Sequence, residues 1–308
     1  MYPHFSVLLD ECVQAFEGKK LKVFVDGTLG AGGHAEAILE AHSEIELFIG
    51  IDQDQSTFLL TKERLKKWEN KIKFIHANFE ELDLILKKLK LKTIDGIILD
   101  LGVSSMQLDQ AEKGFSFMKE GPLDMRMNNQ SNQTAADLIA NLTEAELGKI
   151  FRDYGEEKQW RFAARLIVKA RVEKEITTTK ELVNILQPLQ KFHKKGIHFA
   201  TLIFQALRIA VNRELLVLEK ILPVIVEKLS SGSRACIISF HSLEDRIIKN
   251  YFRYEASDKE DTSGIGGVFL DKQPRVTLVT KKPIAPTSQE MEKNPRSRSS
   301  KLRIIQKI

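Results

Sequence analysis

Four short apolar runs lie before residue 105, at 22–25, 47–51, 72–75 and 94–99, and each ends at a polar or glycine-rich turn. Helix-like stretches, among them 57–67 and 79–89, separate them. Strands that alternate with helices are joined by crossovers, so this rhythm calls for βαβ units and a parallel sheet. From about 106 to 200 the rhythm stops. Capping boxes at Thr143…Glu146 and Thr178…Glu181 flank a stretch of helical spacing over 160–172, and no good strand candidate occurs. The strand pattern returns at 235–240, after a long helical stretch over 200–222, and continues at 276–280 and 302–305. The expectation is an α/β domain made of residues 1–105 and 201–308, with a helical domain, 106–200, inserted into it. Residues 255–267 are rich in Ser, Asp and Gly and read as a mobile loop.

The chain has 308 residues, 43% hydrophobic and 29% charged, enough to fill a sizeable core in a soluble protein. No apolar run reaches the roughly 18 residues that cross a bilayer. The first residues have no basic region, and Asp10 and Glu11 cut short the apolar Val7-Leu8-Leu9, so a signal peptide is not expected. Cys12 and Cys236 form no Cys-x-x-Cys pair, which indicates neither zinc nor a disulfide framework. The expected location is the cytoplasm. Of the net charge of +5, residues 272–307 hold ten Lys or Arg against two Glu. That balance of +8 leaves −3 for the rest, so the basic character belongs to the C-terminal segment. Such a segment is either a solvated arm or a surface for nucleic acid.

The first strand runs into Asp26-Gly27-Thr28-Leu29-Gly30-Ala31-Gly32-Gly33-His34. Glycines at a strand-to-helix turn let the backbone approach a ligand, although they also serve a merely tight turn. No Gly-Lys-Ser/Thr follows, which excludes a phosphate-binding P-loop. Gly30 to Ala35 fits the dinucleotide fingerprint, and Asp52 stands where a ribose-binding acid belongs. Nicotinamide and flavin nucleotides share the adenosine ribose with S-adenosylmethionine, so Asp52 does not separate them. Asp26 does so better, because a carboxylate there repels a pyrophosphate yet neutralises the ammonium of a methionyl group.

Asp100 adds to this. It ends the fourth strand and precedes Leu101-Gly102-Val103-Ser104-Ser105, where a doubly wound sheet opens its crevice. Enzymes that methylate exocyclic amines commonly place Asp or Asn before a tight turn there. The amine lone pair is delocalised into the base, and acceptors for its N–H bonds draw it toward a nucleophilic geometry. The plainer reading makes Asp100 a cap on the following turn. After the fifth strand, Ser242 and Asp245 have the spacing of a capping box. His241 beside them is a base contact, a general base or a polar loop residue, and the sequence does not choose. His193 and His198 lie in the basic patch 191–198 and read as RNA-facing or solvent residues rather than metal ligands.

Taken together the motifs resemble the RsmH (MraW) family, which methylates N4 of a cytidine in the decoding region of bacterial 16S ribosomal RNA. The resemblance covers nearly the whole chain: 26–34, 50–54, 100–105 with Gln107-Leu108-Asp109, 114–117, 121–127, 154–157, 204–212, 239–246 and 294–303. It implies a class I S-adenosylmethionine-dependent methyltransferase fold, Rossmann-like with a seven-stranded, mostly parallel sheet and an inserted all-α domain that recognises the substrate. It also implies cofactor contacts at Gly32, Gly33, His34, Asp52, Phe79, Asp100 and Gln107, with Phe79 flanking the adenine. Three positions depart from the family pattern: Ser6 replaces a usual Pro, Lys113 a usual Arg, and Leu202 a usual Arg that is one candidate RNA contact.

The expected activity is therefore rRNA (cytosine-N4) methylation, with 16S rRNA or the small subunit as partner, no membrane and no metal. Asp100 and His241 are the catalytic candidates. Lys191, Lys194, Lys195, Arg296 and Arg298 are the candidates for binding RNA. A methyltransferase of the same fold acting on DNA or protein, or an assembly factor that uses the fold as a scaffold, remains open from sequence.

Overall fold

The computed structural model describes residues 6–193, 196–261 and 269–308. It separates into two compact units, one of residues 1–102 with 215–308, the other of 103–214. The second boundary falls at 214 rather than at the expected 200. The helix Thr201–Asn212 goes with the helical unit because Ile203, Phe204, Ala206 and Leu207 are buried in that unit's core. The expected single helical stretch over 200–222 is two helices. Arg213 turns left-handed at φ 53° and ends the first; the second runs Glu214–Lys228.

The first unit is built on a seven-stranded sheet. Its strands are β1 (Val23–Asp26), β2 (Leu47–Asp52), β3 (Ile72–His76), β4 (Ile94–Asp100), β5 (Leu229–Ser239), β8 (Val276–Leu278) and β9 (Lys301–Lys307), in the order β3-β2-β1-β4-β5-β9-β8. The first five pair in parallel and β9 runs antiparallel to both its neighbours. This strand order, with one reversed strand near the edge, is the class I methyltransferase topology. A separate ribbon pairs β6 (Lys259–Asp261), inside the segment read as a loop, with β7 (Phe269–Asp271) beyond it, and residues 262–267 of that segment lie outside the described ones.

A parallel sheet is covered on both faces, so its strands read as apolar runs rather than alternations. Successive side chains still point to opposite faces. Phe24, Phe48, Ile98, Cys236 and Ile238 pack on one side with the helices Leu9–Ala15 and Gly33–Ala41. Val25, Ile49, Ile97, Leu99 and Ile237 pack on the other with Leu82–Lys88, Glu214–Lys228 and Ser242–Ala256. Phe16, Phe24 and Phe48 lie in sequence against one another at centroid distances of 4.9 and 5.5 Å.

In the second unit the described residues form helices and, apart from one bridge between Pro122 and Thr178, no strand pairing. Threonine starts three of the helices. Thr134, Thr143 and Thr178 each close a capping box with Asp137, Glu146 and Glu181. Asn212 holds the loop 121–127 by accepting from Met127 N and donating to the carbonyl of Met125, a residue at φ 62°. No helix among the described residues is long and apolar enough to cross a membrane.

Candidate functional site

The carboxyl ends of β2, β1 and β4 bring three aspartates to one edge of the sheet: Asp52, Asp26 and Asp100. The strand order reverses direction about β1, which is where an open α/β sheet leaves its ligand crevice. Each aspartate is the last residue of its strand, so each carboxylate is held by rigid backbone.

Asp52 accepts from Gly30 N at 2.6 Å on one oxygen and from Asp54 N at 2.8 Å on the other. Gly30, which reaches Asp52, and Gly32, which caps the helix Gly33–Ala41, are both left-handed, at φ 48° and 77°. A side chain on Gly33 would fall 2.0 Å from Ser6 Oγ, so the departure at Ser6 packs directly against the glycine turn. Phe79 opens the turn after β3, capped by Asn78, and its Cβ lies near Gly27.

Asp26 is buried. Its carboxyl is pushed up to about 7, first by burial and further by the charge of Asp52, against the pull of the hydrogen bond from Thr28 N. Asp100 is pushed up to about 8, first by burial, then by the charges of Asp26 and Glu244. Its side chain nevertheless keeps 26% of its exposure. One oxygen, Oδ1, is shielded and accepts no hydrogen bond, while Oδ2 lies 3.9 Å from His34 Nδ1. His34 Nε2 is 2.9 Å from the carbonyl of Val7. A carbonyl only accepts, so Nε2 carries the proton and Nδ1 faces Asp100. The capping role weighed for Asp100 falls instead to Ser104, which boxes with Gln107 at the start of the helix Ser105–Asp109.

His241 is the N-cap of the helix Ser242–Ala256, its box closed by Glu244. This corrects the sequence expectation, which gave the box to Ser242 and Asp245. Asp245 is bound instead to Arg303, with contacts of 2.7 and 3.2 Å, and to Lys301. Glu244 accepts from Phe240 N at 2.8 Å and from His241 N at 3.3 Å. His241 Nε2 comes within 3.2 Å of Glu244 Oε1 without hydrogen-bond alignment.

Gly32, Gly33, His34, Asp52, Phe79, Asp100 and His241 thus all belong to the carboxyl edge of the sheet. Arg296 and Arg298 are exposed on the turn Pro295–Ser299. The pairing of Ser239 with Lys301 puts that turn at the same edge. Gln107 and Lys191 lie in the helical unit, Lys191 exposed with its ammonium 5.0 Å from the Phe192 ring. Lys194 and Lys195 lie outside the described residues. His193 faces buried Glu157 at 3.2 Å, and His198 is exposed with its ring stacked on Phe117. Two residues were missed from sequence. Thr28 joins Asp26 to Asp100, and its signal was a hydroxyl inside an otherwise apolar and glycine turn. Glu244 is a buried acid whose signal was its place three residues after His241.

The site fits S-adenosylmethionine, the cofactor expected from the sequence. Asp52 ends β2 as an acceptor where a ribose diol belongs, Asp26 is a counter-charge for an ammonium, and the unpartnered Asp100 oxygen awaits a donor or a cation. The whole chain, residues 1–308, matches the MraW methylase family. Ribosomal RNA small subunit methyltransferase H of Protochlamydia amoebophila (strain UWE25) is 57% identical over 309 residues, spanning 100% of this chain and 98% of that protein. Its namesake from Clostridioides difficile (strain 630) is 45% identical, spanning 100% and 99%. A solved rRNA methylase from Streptococcus thermophilus is 11% identical and covers 97% of this chain and 93% of its own, at a TM-score of 0.43. That likeness is too slight to bear on the fold, which rests on the strand order above. The family match and the sequence identity both run the full length of the chain, which therefore belongs to the MraW methylase family.

Proposed function

We propose that this chain methylates the exocyclic N4 of a cytidine in the decoding region of 16S ribosomal RNA. The names of its full-length relatives support a ribosomal RNA substrate from the small subunit. The observation that carries the finer reading is Asp100, a strand-end carboxylate with a shielded, unpartnered oxygen beside an exposed one. Such a group accepts the N–H bonds of an amine and directs its lone pair.

S-adenosylmethionine, when bound, supplies a methyl group already activated on a positively charged sulfur. Asp52 holds its ribose, Asp26 balances its ammonium and Phe79 flanks its adenine. A cation brought near Asp100 favours the carboxylate form and so strengthens it as an acceptor. Methylation at a pyrimidine ring carbon needs a thiolate to attack the ring first. Cys12 and Cys236 are both buried, and burial raises both thiols, which disfavours that chemistry here. Residues 103–214 carry no glycine turn of the cofactor type. Their part in this reading is to recognise RNA, with Lys191, Lys194 and Lys195 among the contacts.

Mass spectrometry of rRNA nucleosides, from cells with and without the gene, tests the product. Loss of N4-methylcytidine supports the reading, and an unchanged nucleoside profile overturns it. Single-turnover rates at saturating cofactor test Asp100. Asp100→Asn keeps an acceptor oxygen and retains measurable activity. Asp100→Ala loses a further 2–4 kcal/mol, roughly the worth of one oriented polar group. Equal slowness of both variants makes the negative charge decisive and points to general-base catalysis.

A further inference from the structure

β4 extends two residues beyond the pairing partner of Asp26, which is Ile98. Gly27 N still donates to the Ile98 carbonyl at 3.0 Å, but β1 then turns away. The Asp100 amide faces that side with no strand carbonyl to meet it, since the next amide, Leu101 N, is turned to Ile238 on β5. Thr28 fills the gap. Its Oγ1 accepts from Asp100 N at 2.7 Å, while its own backbone N–H donates to Asp26 Oδ1 at 3.0 Å.

We propose that Thr28 is a positioning residue for methyl transfer, its hydroxyl fixing the end of β4 so that Asp100 and Asp26 are held in one hydrogen-bonded chain. This rests on the role given to Asp100 above. The donor, Asp100 N–H, orients the backbone that carries the Asp100 side chain, and the acceptor, Asp26, is the buried neighbour whose charge bears on Asp100. Without the hydroxyl, the Asp100 amide loses its partner, and the end of β4 that carries the Asp100 side chain is no longer fixed. The other groups facing this pair are Asp52 on the Asp26 side and His34, Glu244 and the Cys12 thiol on the Asp100 side.

The test compares Thr28→Val, which keeps the shape, with Thr28→Ser, which keeps the hydroxyl. Two readouts are taken: the carboxyl titrations of Asp26 and Asp100 followed by carbon NMR in the cofactor-free protein, and single-turnover methylation of small-subunit rRNA. Thr28→Val moves the Asp100 titration away from that of wild type and lowers the rate about ten- to a hundredfold, the cost of leaving a buried amide without an acceptor. Thr28→Ser titrates as wild type and stays within about threefold in rate. If Thr28→Val does not fold, as judged by its melting curve, Thr28→Ala carries the same expectation. Wild-type titrations and rates in Thr28→Val overturn the inference. So does a Thr28→Ser variant that melts normally yet fails like Thr28→Val. Wild-type protein that leaves the rRNA unmodified defeats the proposed substrate instead, and the titrations still decide the role of Thr28.

Discussion

At the scale of single residues, the site concentrates negative charge where little solvent reaches. The Asp26 carboxyl is pushed up to about 7 and that of Asp100 to about 8, both first by burial. Unfolded, each is an ordinary aspartate. Between about pH 4 and pH 7–8 the native state therefore binds protons that the unfolded chain has released. The stability of the cofactor-free protein falls as pH rises through that window, by about 1.4 kcal/mol per pH unit for each group at most, and levels off above it. Denaturant unfolding across this range checks it, and stability that rises from pH 5 to 8 would contradict the assignment. Cofactor binding near neutral pH should release protons for the same reason, since a cation favours both carboxylates.

At the scale of elements, the ends of strands and helices carry the function. The helix Ser242–Ala256 begins at His241, whose Nδ1 accepts from Glu244 N at 3.4 Å, with Glu244 reaching back to two amides. The cap is a sufficient structural reason for a histidine there. His241→Asn retains a capping acceptor and should leave stability within about 0.5 kcal/mol of wild type, whereas His241→Ala should cost about 1 kcal/mol. Chemical denaturation measures both, and an alanine variant as stable as wild type would show that the cap contributes nothing. A large loss of turnover in the stable asparagine variant would restore His241 as a catalytic candidate.

For the whole molecule, the basic C-terminal segment is an integral part of the sheet. β9 is buried and antiparallel to β5, so the chain preceding it arrives at the carboxyl edge with Arg296 and Arg298 exposed. Arg303 is spent inside, on Asp245. The two exposed arginines are therefore candidates for phosphate contacts. Arg296→Ala with Arg298→Ala should weaken rRNA binding and reduce the slope of log affinity against log salt by about 1–2, leaving S-adenosylmethionine affinity unchanged. Binding of an rRNA fragment over a salt series measures it, and an unaltered slope would assign these arginines to solvent.

The sequence alone determined what local periodicity encodes. Seven strand positions, the capping boxes at Thr143 and Thr178, and the glycine turn after Asp26 are all short-range patterns, and each was legible for that reason. The placement of Asp26, Asp52 and Asp100 at strand ends followed from where each apolar run stops. Only the tertiary structure decided what depends on contacts distant in the chain. Thr28 meets Asp100 across 72 positions, and Arg303 claims Asp245 across 58, which left the cap to His241 and Glu244. The boundary at 214 was equally hidden. The helix Thr201–Asn212 has an apolar face, but periodicity says only that the face is buried, and which core buries it is settled by packing. The raised carboxyls were invisible for the same reason: desolvation comes from the residues that close around a group, and those come from every part of the chain.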